Sequence, residues 1–232
     1  MTLVIMWIFA ALSFAGTAAA LGFLPDTVPV HYDIAGNVDR FGSKFEFLVA
    51  PAIVLCASLV LTLLSRRFEK IAAAHAGEKS GASAKTNAKV VRATGALTAL
   101  FVCAVQGFLI YGACNQAAAG SEARIPEGAK MLFVLAGLLL VGIGNLMTKT
   151  RPNSFVGFRT KWSLYNDNTW KKSNRFGAIA LMISGVLTVF AALLCKDFLP
   201  VAVAMICLCA LSAVASLIYA RKVYLQEVGA GK

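Results

Sequence analysis

Six long runs of the chain contain no Asp, Glu, His, Lys or Arg, and each is 17 to 19 residues long. A helix that crosses about 30 Å of hydrocarbon at about 1.5 Å per residue needs roughly 20 mostly apolar residues. The runs therefore predict an all-α membrane protein with six transmembrane helices, at Leu3–Leu21, Phe47–Leu64, Ala93–Tyr111, Met131–Met147, Phe176–Leu194 and Val201–Tyr219.

The composition excludes the main alternatives to a membrane protein. Hydrophobic residues make up 59% of the 232 residues and charged residues 14%, whereas soluble chains have about 45–50% and about 25%. A disordered chain, a disulfide-rich scaffold and a water-soluble enzyme do not have this composition. The six cysteines lie in the runs or at their edges, which is typical of small apolar fillers. A disulfide between Cys114 and Cys195 is the weaker alternative.

Motifs for familiar enzyme chemistry are not found in the sequence. It contains no Walker A loop, no HExxH pair and no GxSxG elbow, and no cysteine pair has the CxxC spacing of a metal site. We therefore expect a protein that is not an enzyme and that uses no cofactor and no metal.

Lys and Arg lie mostly on one side of the six predicted spans. The segments 65–92 and 148–175 hold seven each and the C-terminal tail holds three, whereas the segments on the other side hold five. Because basic loops stay in the cytoplasm, we expect a multi-pass protein of the cell membrane with both termini cytoplasmic. Topology and contact with anionic membrane lipids then explain the net charge of +11, without direct binding of nucleic acid.

The spans and loops divide the chain into three parts. Residues 1–64 hold the first two spans and an outer cap loop at 24–44. Residues 65–92 form a cytoplasmic loop, predicted to be flexible because its stretch 72–87 is rich in Ala, Gly, Ser and Lys. Residues 93–232 form a four-span domain with an inner loop at 144–177. The first run ends in a triplet of alanines that resembles a signal-peptide cleavage site, but it lacks a preceding basic region, which favours a retained span.

The outer loop has the alternating pattern of a half-buried strand. Its apolar residues Val28, Val30, Tyr32 and Ile34 alternate with Pro29, His31 and Asp33. Gly36 and Asn37 tolerate positive φ and favour a turn, after which Val38–Phe41 returns as a second strand. We expect a small extracellular β-like cap after the first helix.

Three interpretations of the polar residues in this cap remain open. A metal site at His31, Asp33 and Asp39 is weakly supported, because zinc sites usually have three or four ligands. Pairing of Asp39 with Arg40 or Lys44, and a surface hydrogen bond of His31, is favoured. Recognition of an extracellular ligand is the third interpretation.

The inner loop combines seven basic residues with the aromatic residues Phe155, Phe158, Trp162, Tyr165 and Trp170. Gly157 favours a turn, and Asn166 is suited to cap a helix that continues into the fifth span. On that helix Trp170 and Asn174 share one face, and Lys171 and Arg175 share another. The loop is either an interfacial anchor or a structured platform in which Arg159 and Arg175 hold fixed hydrogen bonds and a cytosolic partner binds.

Both loops together resemble the SdpI family of bacterial membrane proteins, named for immunity to a secreted killing peptide. The inner stretch that resembles its signature comprises Gly144, Asn145, Lys149, Arg151, Pro152, Asn153, Gly157, Arg159, Thr160, Trp162, Trp170, Arg175 and Gly177. The outer stretch Pro29, His31, Asp33, Gly36, Asp39, Gly42 and Lys44 is similar to a small domain of unknown function that commonly precedes it. The chain differs from the family at Asn174, where the family has His, and at Thr148 and Lys161, where it has Pro.

The resemblance implies a membrane immunity or signalling protein that gives resistance to a secreted toxic peptide and sequesters a cytosolic repressor at its inner loop. It implies ligand or partner binding by Pro29, His31, Asp33, Gly36, Asp39, Lys44, Asn145, Lys149, Asn153, Gly157, Arg159, Thr160, Trp162, Trp170 and Arg175. A small-solute or lipid transporter or exporter is the main alternative. A membrane enzyme that uses His31 and the nearby acids is a third.

Overall fold

The computed structural model describes residues 1–33, 37–117 and 128–230. These residues contain six helices long and apolar enough to cross a membrane. They are α1 (Thr2–Ala20), α2 (Val49–Ala74), α3 (Lys79–Ala117), α4 (Lys130–Met147), α5 (Asp167–Leu194) and α6 (Phe198–Ala230). The predicted fold class is confirmed, and the protein is a multi-pass membrane protein.

The helices pack as two groups of three. In the first group α3 packs against α1 and α2, and in the second α5 packs against α4 and α6, while α3 and α4 join the groups. Many Leu, Ile and Val side chains of the six helices are exposed in the bundle. An apolar outer surface of this kind is typical of helices that face lipid.

Helices α4 and α5 approach each other closely at two glycines. A β-carbon on Gly137 would lie 2.6 Å from the carbonyl oxygen of Gly185, and one on Gly185 would lie 2.5 Å from the carbonyl oxygen of Gly137. The two backbones therefore touch directly, as small residues allow where membrane helices cross.

A small hairpin follows α1. Strand β1 (Thr27–Tyr32) pairs antiparallel with β2 (Val38–Ser43), and a short 3-10 helix (Lys44–Leu48) leads into α2. Val28 is fully buried among apolar residues at the ends of α1 and α3, which fixes the hairpin on the bundle. The predicted cap is confirmed, although Ile34, predicted at the end of the first strand, and the predicted turn residues Ala35 and Gly36 lie outside the described residues.

The prediction of a flexible loop at 65–92 is wrong. Helix α2 continues to Ala74 and α3 begins at Lys79, so only residues 75–78 connect them. The alanine-rich sequence is a good helix former, and Phe68, Ala84, Ala88 and Val91 make a buried cluster between the two extensions. Gly77 takes the positive φ of +90° that the tight turn requires.

The described bundle has two distinct ends. We call the loop side the end that holds the α2–α3 turn, residues 148–166 and the C-terminal part of α6, and the hairpin side the opposite end. All six cysteines are free, so the weaker alternative of a Cys114–Cys195 disulfide is wrong.

Candidate functional site

Residues 148–166, which we call the basic loop, contain no helix or strand long enough to hold them by backbone pairing. Side chains supply the missing hydrogen bonds instead, since buried backbone groups need partners. Three asparagines make most of these hydrogen bonds: Asn153 in the loop itself, Asn174 on α5 and Asn87 on α3.

Asn153 folds the first half of the basic loop. Its Oδ1 accepts hydrogen bonds from the N–H groups of Phe155 and Val156, both at 2.7 Å. Its Nδ2 donates to the carbonyl oxygens of Arg151 at 2.7 Å and Val156 at 3.0 Å. This Asx turn holds the chain in one shape over six residues.

Asn174, on α5, fixes the centre of the loop. Its Oδ1 accepts from the N–H of Phe158 at 2.6 Å, and its Nδ2 donates to the carbonyl oxygen of Phe158 at 3.3 Å. One turn earlier on the same face, Trp170 is 1% exposed and its indole N–H donates to the carbonyl oxygen of Thr150 at 3.2 Å. The predicted shared face is confirmed, and it is the face that holds the loop.

Gly157 is required where the loop crosses this face. Its φ is +107°, and a β-carbon there would lie 2.6 Å from Oδ1 of Asn174 and 3.0 Å from the Trp170 ring. A side chain would be strained by the backbone conformation and would also collide with both residues.

Asn87, on α3, holds the start of the loop from the other group of helices. Its Oδ1 accepts from the N–H of Arg151 at 2.9 Å, and its Nδ2 donates to the carbonyl oxygen of Arg151 at 3.2 Å. Since Asn87 is 1% exposed, these bonds are protected from water. The basic loop therefore joins the two groups of helices.

The end of the loop is closed by hydroxyl and amide caps. Ser163 Oγ accepts from the N–H of Thr160 at 2.8 Å and donates to the carbonyl oxygen of Phe158 at 2.9 Å. Oδ1 of Asn166 accepts from the N–H of Thr169 at 2.8 Å, so the predicted N-cap of α5 is confirmed.

The charged groups on the loop side are unequally paired. Each of its four described acids has a partner: Glu69 binds Arg92, Asp167 binds Lys79, Glu227 lies 3.7 Å from Lys172, and Glu78 accepts from Ser80. Most of the cations there bond to no described side chain. The expectation that Arg159 and Arg175 hold fixed hydrogen bonds is wrong for the described part of the chain, where both are exposed and neither bonds to another residue. Both side chains are exposed, and the main chain around them is held by the hydrogen bonds of Asn174 and Ser163.

Aromatic side chains extend the loop surface. The Phe155 ring lies edge-on to Phe68 at 5.9 Å, and the Arg67 guanidinium lies 5.1 Å from the Phe155 ring centre. The Lys161 ammonium lies 5.6 Å from the Trp162 ring centre. These contacts leave apolar and cationic groups side by side at the surface.

Two clefts flank the ion pair of Lys79 and Asp167. One, of about 510 Å³, lies between Arg67, Phe68 and the segment 152–155. The other, of about 570 Å³, lies between the start of α3, residues 148–152 and the first turns of α5.

The predicted polar residues of the hairpin pair differently from the expectation. His31 Nδ1 lies 2.6 Å from Asp39 Oδ1, whereas Arg40 binds Glu46 at 2.9 Å. Lys44 binds Asp26 at 3.0 Å, so the expected pairing of Asp39 with Arg40 or Lys44 is wrong. Strand register explains this, because His31 and Arg40 are opposite each other and a bulge at His31 brings the imidazole to Asp39.

The structure divides the predicted site residues between the two ends of the bundle. The described hairpin-side residues Pro29, His31, Asp33, Asp39 and Lys44 lie in or beside the hairpin. Asn145 and Lys149 are exposed at the end of α4, and Asn153, Gly157, Arg159, Thr160, Trp162, Trp170 and Arg175 lie in the basic loop or the first turns of α5. No described contact joins the two sets.

Sequence reasoning missed Asn87 and Ser163, and it gave Asn174 no role in binding. Asn87 lies 64 residues from Arg151 in a stretch with flexible composition, so no local pattern could connect them. A Ser three residues after Thr160 was a usable signal, because ST turns have this spacing.

These features define the class of the protein: a six-helix membrane protein with a hairpin at one end and a rigid, cationic loop at the other. Residues 149–220 match the SdpI/YfhL protein family, and residues 8–55 match a domain of unknown function, DUF1648. The predicted resemblance is confirmed: the stretch similar to the SdpI/YfhL family runs from the basic loop into α6, and the stretch similar to DUF1648 covers most of α1, the hairpin and the start of α2.

Individual relatives match over shorter stretches. The chain is 31% identical over 62 residues to an uncharacterized protein of Archaeoglobus fulgidus, which is 27% of this chain and 30% of that protein. It is 35% identical over 51 residues to Immunity protein SdpI of Bacillus subtilis, which is 22% of this chain and 25% of that protein. The matched stretches thus span less than a third of either relative's length. No solved structure matches the chain significantly.

Proposed function

We propose that the protein is a membrane immunity protein that protects the cell from a secreted toxic peptide. The observation that carries this proposal is the match of the SdpI/YfhL family to residues 149–220, since the segment begins with the basic loop and contains the helix that holds it. The similarity to Immunity protein SdpI supports it.

In this proposal the two ends have separate tasks. The count of Lys and Arg supports a cytoplasmic loop side and an extracellular hairpin side, with both termini in the cytoplasm. The hairpin, with the exposed pair His31 and Asp39, would meet the toxic peptide at the outer surface.

The basic loop would bind a cytosolic repressor or another protein partner. The basic loop presents Arg159 and Lys161, and the start of α5 presents Arg175, next to the Trp162 ring, and none of the three pairs with a carboxylate among the described residues. An acidic surface with an apolar centre is the complementary partner, because Arg binds carboxylates with two parallel hydrogen bonds. Preorganisation by Asn153 and Asn174 lowers the entropic cost of binding.

A toxin challenge tests the proposal. The gene is deleted in its native host, restored as wild type or as His31→Ala, Arg159→Ala or Lys85→Ala, and survival under membrane-active peptides and host transcription are recorded. Lys85 is exposed on α3, lines neither cleft beside the basic loop, and serves as the charge-matched control. We expect His31→Ala to lower survival and Arg159→Ala to abolish the transcriptional response. Unchanged survival and transcription in the deletion strain would refute the proposal.

A transporter or exporter is the competing function. Solute or lipid movement by the purified protein in liposomes, with survival independent of Arg159, would favour it over immunity.

A further inference from the structure

The cleft of about 570 Å³ on the loop side has an unbalanced charge. Three cations line it, from Lys79, Arg151 and Lys171, against the single carboxylate of Asp167, which is bound to Lys79. Within the described residues, neither the Arg151 guanidinium nor the Lys171 ammonium bonds to another side chain. Two cations therefore point to an anionic ligand for this cleft.

The main chain of Arg151 makes three hydrogen bonds to asparagine side chains, although Arg151 itself is exposed. Asn87 binds both its N–H and its carbonyl oxygen, and Asn153 donates to the same carbonyl oxygen at 2.7 Å. The buried residues Trp170 and Asn174 also line the cleft. This support fixes the base of the Arg151 side chain while its guanidinium stays unpartnered, which is the arrangement of a preorganised ligand site.

The hydroxyl groups in the cleft define the second part of the ligand. Thr86, Thr148 and Thr150 line it, and each hydroxyl donates its proton to a backbone carbonyl, at 3.0, 2.7 and 2.8 Å. Their oxygen atoms are then left as acceptors. Such acceptors are suited to ligand hydroxyl groups, whereas the two cations are suited to a phosphate.

We propose that this cleft binds a phosphate ester that carries hydroxyl groups, with the phosphate held by Arg151 and Lys171 and the hydroxyls by the threonine oxygens. The volume lies in the range of small-molecule sites, which is about 300–1,000 Å³. A lipid headgroup and a soluble metabolite share this chemistry. The proposal is independent of the immunity function.

Binding by the purified full-length protein in a zwitterionic detergent tests the proposal. The probes are glycerol 3-phosphate, inorganic phosphate, short-chain phosphatidylglycerol and short-chain phosphatidylcholine, and the measurements are titration calorimetry and the shift in melting temperature. The variant is Arg151→Gln with Lys171→Gln, and the charge-matched control is Lys85→Gln with Lys89→Gln, two exposed cations outside the cleft.

We expect glycerol 3-phosphate or phosphatidylglycerol to bind more tightly than inorganic phosphate, and the cleft variant to lose about tenfold or more in affinity while the control stays within about twofold. Preference for phosphatidylglycerol identifies a lipid headgroup, and preference for glycerol 3-phosphate identifies a soluble ligand. Failure of both hydroxyl-bearing phosphates to bind the wild type, or an equal loss in the control, would overturn the proposal. An unchanged elution volume and melting temperature without probe separates loss of binding from loss of fold.

Discussion

The amide oxygen of Asn174 lies 2.6 Å from the position that a β-carbon on Gly157 would occupy, and the same oxygen accepts the N–H of Phe158 at 2.6 Å. The loop and α5 thus interlock at a point where one residue must lack a side chain and the other must present an amide. Asn174 both donates to and accepts from the main chain of the loop.

Gly157→Ala should destabilise the basic loop by about 1–3 kcal/mol, because the alanine must adopt φ +107° and displace Asn174. The measurement is the melting temperature of the protein in detergent, followed by size-exclusion chromatography after heating. Gly107→Ala is the control, since no atom lies within 4 Å of its added β-carbon. Equal melting temperatures for Gly157→Ala and wild type would contradict the interlock.

Asn87→Ala should expose the basic loop to trypsin. The substitution leaves the N–H of Arg151 without its partner, at a cost of about 1–3 kcal/mol, and leaves its carbonyl oxygen with Asn153 as the remaining donor. Cleavage is expected at Arg159 and Lys161, because Pro152 follows Arg151 and blocks cleavage there. Limited proteolysis with mass spectrometry provides the measurement, and Lys85→Gln should digest as slowly as wild type.

Gly185→Val should separate α4 from α5, because its new side chain would meet the carbonyl oxygen of Gly137 at 2.5 Å. We expect a loss of about 1–3 kcal/mol or more in stability, as overpacking in a close contact produces. Gly16→Val, at an α1 position with no atom within 4 Å of the added β-carbon, controls for introducing a β-branched residue into a span. Matching losses in both variants would refute a specific backbone contact.

His31→Ala should change the stability by less than about 1 kcal/mol, since the pair with Asp39 is exposed to water. Any loss of peptide protection in this variant would then report recognition and not folding. Thermal unfolding measured beside the survival assay decides between the two. A large drop in melting temperature would show that the pair supports the hairpin.

An impermeant amine reagent applied to intact cells should modify Lys196, which is exposed on the hairpin side, and should not modify Lys161 or Lys171. Peptide mapping by mass spectrometry identifies the modified lysines. Permeabilised cells are the control, in which all three react. Modification of Lys161 from outside would invert the proposed orientation and the division of tasks between the two ends.

The spans were predictable because the bilayer imposes a length and an apolar composition on every crossing helix. The hairpin was predictable for a related reason, since Val28 and Val30 are more buried than Thr27 and His31, although Pro29, predicted on the other face, is buried as well. The N-cap at Asn166 needed only local chemistry.

The continuation of α2 and α3 beyond the spans could not be read from composition alone, since Ala-rich and Lys-rich sequence is also typical of linkers. The contact of Phe68 with Ala84 and Ala88 decides in favour of helix, and it exists only once the two helices are side by side. The predicted hydrogen bonds of Arg159 and the predicted partners of Asp39 were wrong for the same reason: tertiary neighbours and strand register select the pairs that form.

The contact of Asn87 with Arg151 crosses the boundary of the SdpI/YfhL-family segment, since residue 87 lies outside the stretch 149–220. The segment therefore does not contain all the residues that hold the basic loop in place. A chimera that joins this segment to a different N-terminal half would lack the two hydrogen bonds from Asn87 to Arg151. Its third helix would have to carry an amide side chain at the equivalent position to restore them.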